Sequence, residues 1–162
     1  PGPFSIERDG TIYATTLGTK LEDAGARSVG IAARKSVRPV KPGDVVYGVI
    51  EDLMDTIAIV RFEAVPQGTV QPVSHTDSAY LRVSEIMPGY VERIRDYLRV
   101  GDILRARVLE VKPLGTYLSL KGREYGVLKA FCSRCRLEMA FDGRSFYCAK
   151  CARREPRKVP GE

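Results

Sequence analysis

Four cysteines constrain this chain more than any other feature, and all of them lie in its last quarter: Cys132-x2-Cys135-x12-Cys148-x2-Cys151. Each C-x-x-C pair can form a tight knuckle that offers two thiolates to one ion. The stretch between the pairs, Leu137-Glu138-Met139-Ala140-Phe141 then Arg144-Ser145-Phe146-Tyr147, has the length of one hairpin, and the intervening Asp142-Gly143 predicts a two-residue turn. Four thiolates complete a closed tetrahedron, the geometry Zn2+ prefers, with no open position left for catalysis.

The layout predicts a zinc ribbon over 127–156, holding one structural Zn2+ on Cys132, Cys135, Cys148 and Cys151. Disulfides would need an oxidising compartment, of which the chain gives no sign, although thermophile cytosol is a known exception. A thioredoxin-like redox pair would need a βαβ setting, which these pairs lack. Iron fits the same four-thiolate tetrahedron and is not separated from zinc by spacing. A segment this short cannot bury enough apolar surface to fold alone, so the metal is expected to supply much of its folding free energy. Arg134, Arg136, Arg144, Lys150, Arg153, Arg154, Arg157 and Lys158 surround the site and are expected to meet phosphates or an acidic protein face.

Charge follows the same division. The formal net charge is +6, and its excess belongs mainly to the part after Gly122. A basic end on a nearly neutral body points to a polyanion, of which nucleic acid is the commonest. The chain has no tryptophan, no asparagine, and glutamine only at Gln67 and Gln71. Scarce amides with abundant Arg and Glu suit a heat-adapted source. No run approaches the roughly 20 apolar residues of a membrane helix, and Pro1-Gly2-Pro3-Phe4-Ser5 has no signal-peptide character. The expectation is a soluble cytoplasmic protein without membrane contact.

The middle reads as short strands between turns, consistent with 15 glycines and 10 prolines in 162 residues. Lys41-Pro42-Gly43-Asp44 is a turn, followed by strands over Val45–Ile50 and Ile57–Glu63. A long loop with Pro66, Gly68 and Pro72 leads to a third strand, Ala79–Val83. Ile86, Tyr90, Val91, Ile94 and Leu98 recur at steps of mostly three or four and predict a short amphipathic helix. After the turn at Val100-Gly101-Asp102 come strands over Ile103–Val111 and Thr116–Lys121. Five strands with a helix between the third and fourth is the order of an OB-type barrel, giving a mostly β fold.

The motifs Gly43-Asp44-Val45-Val46-x-Gly48, Ala79-Tyr80-Leu81-Arg82-Val83-Ser84-Glu85-Ile86, Val100-Gly101-Asp102-Ile103-Leu104-x-Ala106-x-Val108 and Leu118-Ser119-Leu120-Lys121 together resemble an S1 RNA-binding domain over 41–122. Many S1 domains carry aromatics on the second strand and a histidine on the third. Here Ile57, Ile59 and Arg61 stand on the second, and Arg82 at the histidine-like position. The resemblance implies RNA phosphate contact by Arg61, Arg82, Lys112 and Lys121. With few stacking groups, binding is expected to be weak, salt-dependent and indifferent to sequence.

Ahead of the barrel, 1–38 reads as a small β domain, with strands at Thr11–Thr16 and Val29–Ala33, a turn at Leu17-Gly18-Thr19, and a linker from Arg34 to Val40. So few large apolar groups make a marginal core, which is expected to pack on the barrel or on another protein. The order of small β domain, S1 domain and four-cysteine ribbon resembles the archaeal exosome cap subunits that end in a zinc ribbon. The local echoes are Ile12-Tyr13-Ala14 with Gly18, and Tyr125-Gly126-Val127-Leu128-Lys129-Ala130-Phe131-Cys132. That family begins with a further strand ahead of the present Pro1.

The resemblance implies a non-catalytic RNA-binding adaptor, docked by its front domain on a ring of RNase-PH-like subunits that perform 3′-to-5′ RNA degradation. It also implies a possible DnaG-like primase partner. Two other readings stay open on the residues: a stand-alone RNA-binding factor of translation or transcription, and a protein-binding scaffold with little RNA contact. Enzyme motifs are missing: no phosphate-binding loop, nucleophile elbow or H-E-x-x-H occurs, and the one histidine, His75, falls in a loop.

Overall fold

The computed structural model describes residues 1–34 and 36–161. Among these the regular elements are 15 β-strands and two 3-10 turns, and no helix is long and apolar enough to cross a membrane. The chain divides into two compact units, Pro1–Arg38 with Pro66–Gln71, and Pro39–Val65 with Pro72–Glu162. The middle of the long loop between the second and third barrel strands therefore groups with the front segment.

In the first unit, β1 (Ser5–Arg8) and β2 (Thr11–Ala14) form a hairpin. Its turn is Asp9-Gly10, with φ of 52° and 74°, the pair of positive angles a type I′ turn demands. β3 (Gly18–Asp23) pairs antiparallel with β4 (Ser28–Ala33) along its whole length. The turn expected at Leu17-Gly18-Thr19 is not there. Gly18 lies inside β3 opposite Ala33, where an added Cβ would come 2.1 Å from the Ala32 carbonyl oxygen. The glycine serves close approach of two backbones rather than chain reversal. Between Pro1 and Pro39, Gly30 is the one buried position among the described residues.

The second unit is built on a closed barrel of β6 (Val45–Leu53), β7 (Ile57–Ala64), β9 (Ser78–Arg82), β10 (Ile103–Lys112) and β11 (Gly115–Ser119). Neighbours run β6-β7-β9-β11-β10 and back to β6, and β9–β11 is the parallel pair. This is the OB arrangement read from the sequence. Alternation places Val46, Ile50, Ala58, Val60, Leu81, Leu104, Ala106, Val108 and Leu118 inside, all buried. Burial of each large one is worth about 1.5–3 kcal/mol. Two of the turns fold alike: the carboxylates of Asp44 and Asp102 accept from the N–H of Lys41 and Arg99 at 3.0 and 2.9 Å, and Gly43 and Gly101 share a φ of 93°. The expected linker over 34–40 contains instead β5 (Ser36–Pro39), paired with β8 (Val70–Val73); Lys35 lies outside the described residues.

The amphipathic helix expected between the third and fourth barrel strands is replaced by 3-10 turns at Val83–Glu85 and Ile94–Asp96. Pro88-Gly89 breaks the periodic stretch in its middle, removing a donor and favouring reversal. Ile86, Val91, Ile94 and Leu98 are nevertheless buried while Tyr90 is exposed. The spacing recorded pegs that plug one end of the barrel, without a helix to carry them.

β12 (Gly126–Lys129) adds to the first half of β10, and β13 (Ala140–Phe141), β14 (Phe146–Cys148) and β15 (Arg153–Glu155) form the ribbon sheet. The turn between β13 and β14 has four residues rather than two, because Phe141 pairs with Phe146. Asp142 sets its length by accepting the N–H groups of Arg144 and Ser145 at 3.0 and 2.7 Å.

Candidate nucleic-acid interface and metal centre

The four Sγ atoms of Cys132, Cys135, Cys148 and Cys151 lie within 4.8 Å of one another, and Cys135 and Cys148 approach to 3.5 Å. A tetrahedron of thiolates about 2.3 Å from one ion would have edges near ~3.8 Å, so the cluster fits a metal ion. The two knuckles are built alike. Each C-x-x-C is followed by a residue in the left-handed region, Arg136 at φ 62° and Ala152 at φ 49°, and the Arg136 N–H closes the first turn on the Cys132 carbonyl at 2.9 Å. The backbone N–H groups of Cys135 and Arg134 bring the Cys132 thiol down to about 7. Cys151, crowded by the thiols of Cys135, Cys132 and Cys148, is pushed up to about 12. Four thiols this close cannot all ionise unless a cation sits among them.

A buried ion network joins this centre to the barrel. Glu155 on β15 accepts from the Ser133 N–H and hydroxyl at 3.1 and 2.7 Å, inside the first knuckle. Its other oxygen takes an N–H of Arg157 at 3.1 Å, and Arg157 Nε meets Asp102 Oδ2 at 2.6 Å. Asp102 Oδ1 in turn accepts from the Phe131 N–H at 3.3 Å. Burial would raise the Glu155 carboxyl, but its bonds from Ser133 and Arg157 hold it below the usual carboxylate range. For Asp102 burial wins over Arg157 and pushes the carboxyl up. The side chains of Arg157 and Asp102 are wholly inaccessible. Lys158 is also buried, donating to the carbonyls of Tyr125 and Val159 at 3.3 and 2.9 Å. Two cations expected to face phosphates or an acidic protein are thus internal: Arg157 ties the ribbon to the barrel, and Lys158 holds the segment after β15 to the start of β12.

On the barrel surface the outward residues of β7, β9 and β11 form rows. Ile59 opposes Tyr80, and Tyr80 opposes Tyr117 through the parallel pairing. The two tyrosine rings lie 5.6 Å apart at 40°. Gly115 makes room for them: an added Cβ would come 2.7 Å from Tyr80 Cε2. Arg82 stacks over Tyr117 at 4.3 Å from the ring centroid, and Lys112 Nζ reaches the same ring at 5.3 Å. Both cations share Glu110, at 3.5 and 2.9 Å. β9 is regular, so Tyr80 and Arg82 point the same way.

The structure therefore brings Arg82 and Lys112, two of the four expected RNA-contact residues, together around Tyr80, which the sequence places on the face of Arg82 if the strand is regular, and Tyr117, which sequence reasoning missed. Tyr117 lies on the fifth barrel strand rather than on the second. The signal was the OB order itself, since parallel pairing of third and fifth strands sets Tyr117 beside Tyr80. Arg61 lies at the far end of the β7–β9 pairing from Arg82, opposite Ser78, and pairs with Glu51 at 2.9 Å. Lys121 pairs with Glu85 at 2.9 Å. Burial would raise the Glu85 carboxyl, but bonds from Lys121 and Ser119, with the charges of Lys121 and Arg82, hold it low. The Glu85 carbonyl also accepts from Leu120 at 2.8 Å. The Ser84-Glu85-Ile86 step thus closes the barrel end, with Lys121 as its clasp.

No family model matches the chain. It is 33% identical over 159 residues to the exosome complex component Csl4 of Archaeoglobus fulgidus, covering 98% of this chain and 85% of that protein. It is 29% identical over 112 residues to the polyribonucleotide nucleotidyltransferase of Thermomicrobium roseum, covering 69% of this chain and 12% of that one. So small a share of the enzyme transfers none of its activity. Among solved structures, the intact alpha subunit of aIF2 from Pyrococcus abyssi aligns over 51% of this chain and 29% of that chain, with a TM-score of 0.40 and 24% identity. That likeness is too loose to argue from. The Csl4 match is of another order, for it runs through the front unit, the barrel and the cysteine cluster alike, and by it the chain belongs to the Csl4 family of exosome components.

Proposed function

We propose that the chain is a non-catalytic RNA-binding adaptor of a cytoplasmic archaeal exosome, capping a ring of RNase-PH-like subunits. The observation that carries this reading is the match to an exosome component along almost the whole of both chains. The barrel supplies the RNA contact. Tyr80 and Tyr117 offer faces on which any base can stack, and Arg82 and Lys112 stand beside them for the phosphates. Arg61 and Lys121 each have a carboxylate of their own and contribute a weaker field at the margins, whereas Arg82 and Lys112 share the single Glu110 and keep a net positive charge. Contacts of this kind tolerate every sequence and release easily, which suits an entrance that must pass RNA onward.

The front unit supports docking over a free-standing role. It exposes Ile6, Ile12, Tyr13 and Leu21, each more than two-fifths accessible, with almost nothing buried beneath them. Apolar surface of that extent is the mark of a partner-facing element. Cys132, Cys135, Cys148 and Cys151 hold one zinc ion, which closes the ribbon and, with all four positions filled by protein, leaves no place for substrate. The ribbon's exposed Leu137 and Phe141 offer a further protein-facing surface, on which a DnaG-like primase is one candidate.

The test is capture of the tagged chain from a native archaeal lysate, with mass spectrometry and a phosphate-dependent RNA decay assay on the eluate. RNase-PH-like subunits with decay activity are expected. Recovery of RNA with ribosomal or polymerase subunits, and no ring, would overturn the assignment.

A further inference from the structure

Where the ribbon meets the barrel there is a cleft of about 350 Å3, lined by Asp52 and Leu53 at the end of β6, Arg95 and Arg99 of the segment before β10, and Ser133 and Arg136 of the first knuckle. Its chemistry is dominated by three arginines. Each spends one N–H on a backbone carbonyl that orients it: Arg95 on Leu53 at 3.0 Å, Arg99 on Leu98 at 2.9 Å, Arg136 on Val100 at 3.0 Å. A guanidinium has five such donors, so each of these cleft-lining arginines keeps donors that these bonds do not use. Among the described residues none of the three is in an ion pair; several other arginines share that state, and what sets these apart is that one cleft gathers all three. Burial, with the charge of Arg157, lowers the Arg99 guanidinium from its ordinary value, against the opposing charges of Glu155, Asp102 and Asp96. Asp52 also borders the cleft, with one oxygen held on the Leu53 N–H at 2.8 Å.

The cleft's position selects a ligand. The loop from Met54 to Thr56 leads directly into β7, whose first residue, Ile57, opposes Arg82. OB barrels guide nucleic-acid strands over this same first loop and the adjoining sheet face. Resting on the RNA-binding reading above, we propose that this cleft is a second phosphate site, in which Arg95, Arg99 and Arg136 hold the backbone of an RNA strand that extends beyond the Tyr80–Tyr117 platform. Strand entry would then be shared between barrel and ribbon, and the ribbon's docking network would set the spacing of the two contacts.

Fluorescence anisotropy on the full chain, with oligoadenylates of about 4 and about 16 nucleotides across a salt series, tests this. Arg95→Gln with Arg136→Gln is expected to weaken the longer RNA about five- to tenfold, as loss of charge-assisted bonds does. The same change should make its salt slope shallower by about 0.7, one single-strand phosphate. The shorter RNA should be unaffected. Asp52→Asn keeps the oxygen on Leu53 and removes a like charge, so it should tighten the longer RNA about two- to fivefold, a gain that misfolding cannot produce. Equal change at both lengths, or none at either, overturns the proposal. So does loss of poly-glutamate binding without loss of RNA binding, which would assign the cleft to an acidic protein. Tyr117→Ala should weaken both RNAs; if it weakens neither, the platform reading fails while the cleft is judged by the arginine variants alone.

Discussion

The barrel and the ribbon belong to one compact unit but are held by different physics. The barrel closes on aliphatic side chains, from Val46 to Leu118, that need no partner but one another. The ribbon's interior is Met139, Phe146 and little else apolar, with four thiols and an arginine–carboxylate network in place of a core. A barrel of this kind degrades gracefully when one methylene is lost, because its energy is spread over many contacts. The ribbon concentrates its energy in a few strong, geometrically demanding interactions, and losing one of them is felt throughout.

Removing the metal should separate the two most sharply. Structural zinc contributes about 10–16 kcal/mol of apparent binding free energy in small zinc-finger peptides, more than a ribbon of three short strands can supply otherwise. Chelation, or Cys148→Ser, is expected to abolish hydrogen-exchange protection in β13–β15 while β6, β7, β9, β10 and β11 keep theirs. If the barrel opened with the ribbon, the two would be one cooperative fold and the contrast would fail.

The docking network should show the next largest effect. Arg157→Ala leaves Asp102 and Glu155 buried without their cation, which costs about 3–5 kcal/mol. Leu118→Ala in the barrel costs about 2–5 kcal/mol through its cavity. Denaturant titration would give similar losses, so a second readout is needed. Glu155 also holds Ser133 in the first knuckle, and loss of such a supporting bond typically weakens metal binding about 10–100-fold. Metal competition should therefore move for Arg157→Ala and stay fixed for Leu118→Ala. Equal metal affinity in both would mean that the network fastens the ribbon without reaching the ion.

Binding should divide between the regions in the opposite sense from stability. Tyr117→Ala removes one stacking surface, worth about 1–3 kcal/mol per base, and should barely alter folding because the ring is only half-buried. Arg144→Ala on the ribbon turn should leave the affinity for a short RNA unchanged. A larger loss from Arg144→Ala would place the main contact on the ribbon.

What the sequence disclosed follows from the same division. Strands whose alternation faces a single core were legible, as were the turns at Gly43-Asp44 and Gly101-Asp102, because period and turn chemistry are local. So was the cysteine cluster, whose spacing is its geometry. The helix over Ile86–Leu98 was misread because burial imposes a three-to-four spacing on an irregular plug just as it does on a helix. Only Pro88-Gly89 argued otherwise. Arg157 and Lys158 were misread for a deeper reason. Their partners Asp102 and the Tyr125 carbonyl are far away in sequence, and a basic residue near a chain end looks solvated until something closes over it. Tyr117 needed topology, not pattern: it gains its meaning from a parallel neighbour on a strand that is not adjacent in sequence.

The smallest expected effect tests the ribbon's geometry at a single backbone position. Ala152 follows the second knuckle with φ 49°, a conformation that costs a residue bearing a Cβ about 1–2 kcal/mol. Ala152→Gly removes that penalty and restores about 0.4–1 kcal/mol of freedom to the unfolded chain, so the net gain should be about 0.5–1 kcal/mol. Arg136 occupies the matching place in the first knuckle, but Arg136→Gly would also surrender its bond to the Val100 carbonyl. The two glycine variants should therefore diverge, with Ala152→Gly raising the melting temperature of the metal-loaded protein and Arg136→Gly gaining less or nothing. If they rose together, the knuckle backbone alone would set the strain, and the reach of the ribbon toward the barrel at Val100 would carry no stability of its own.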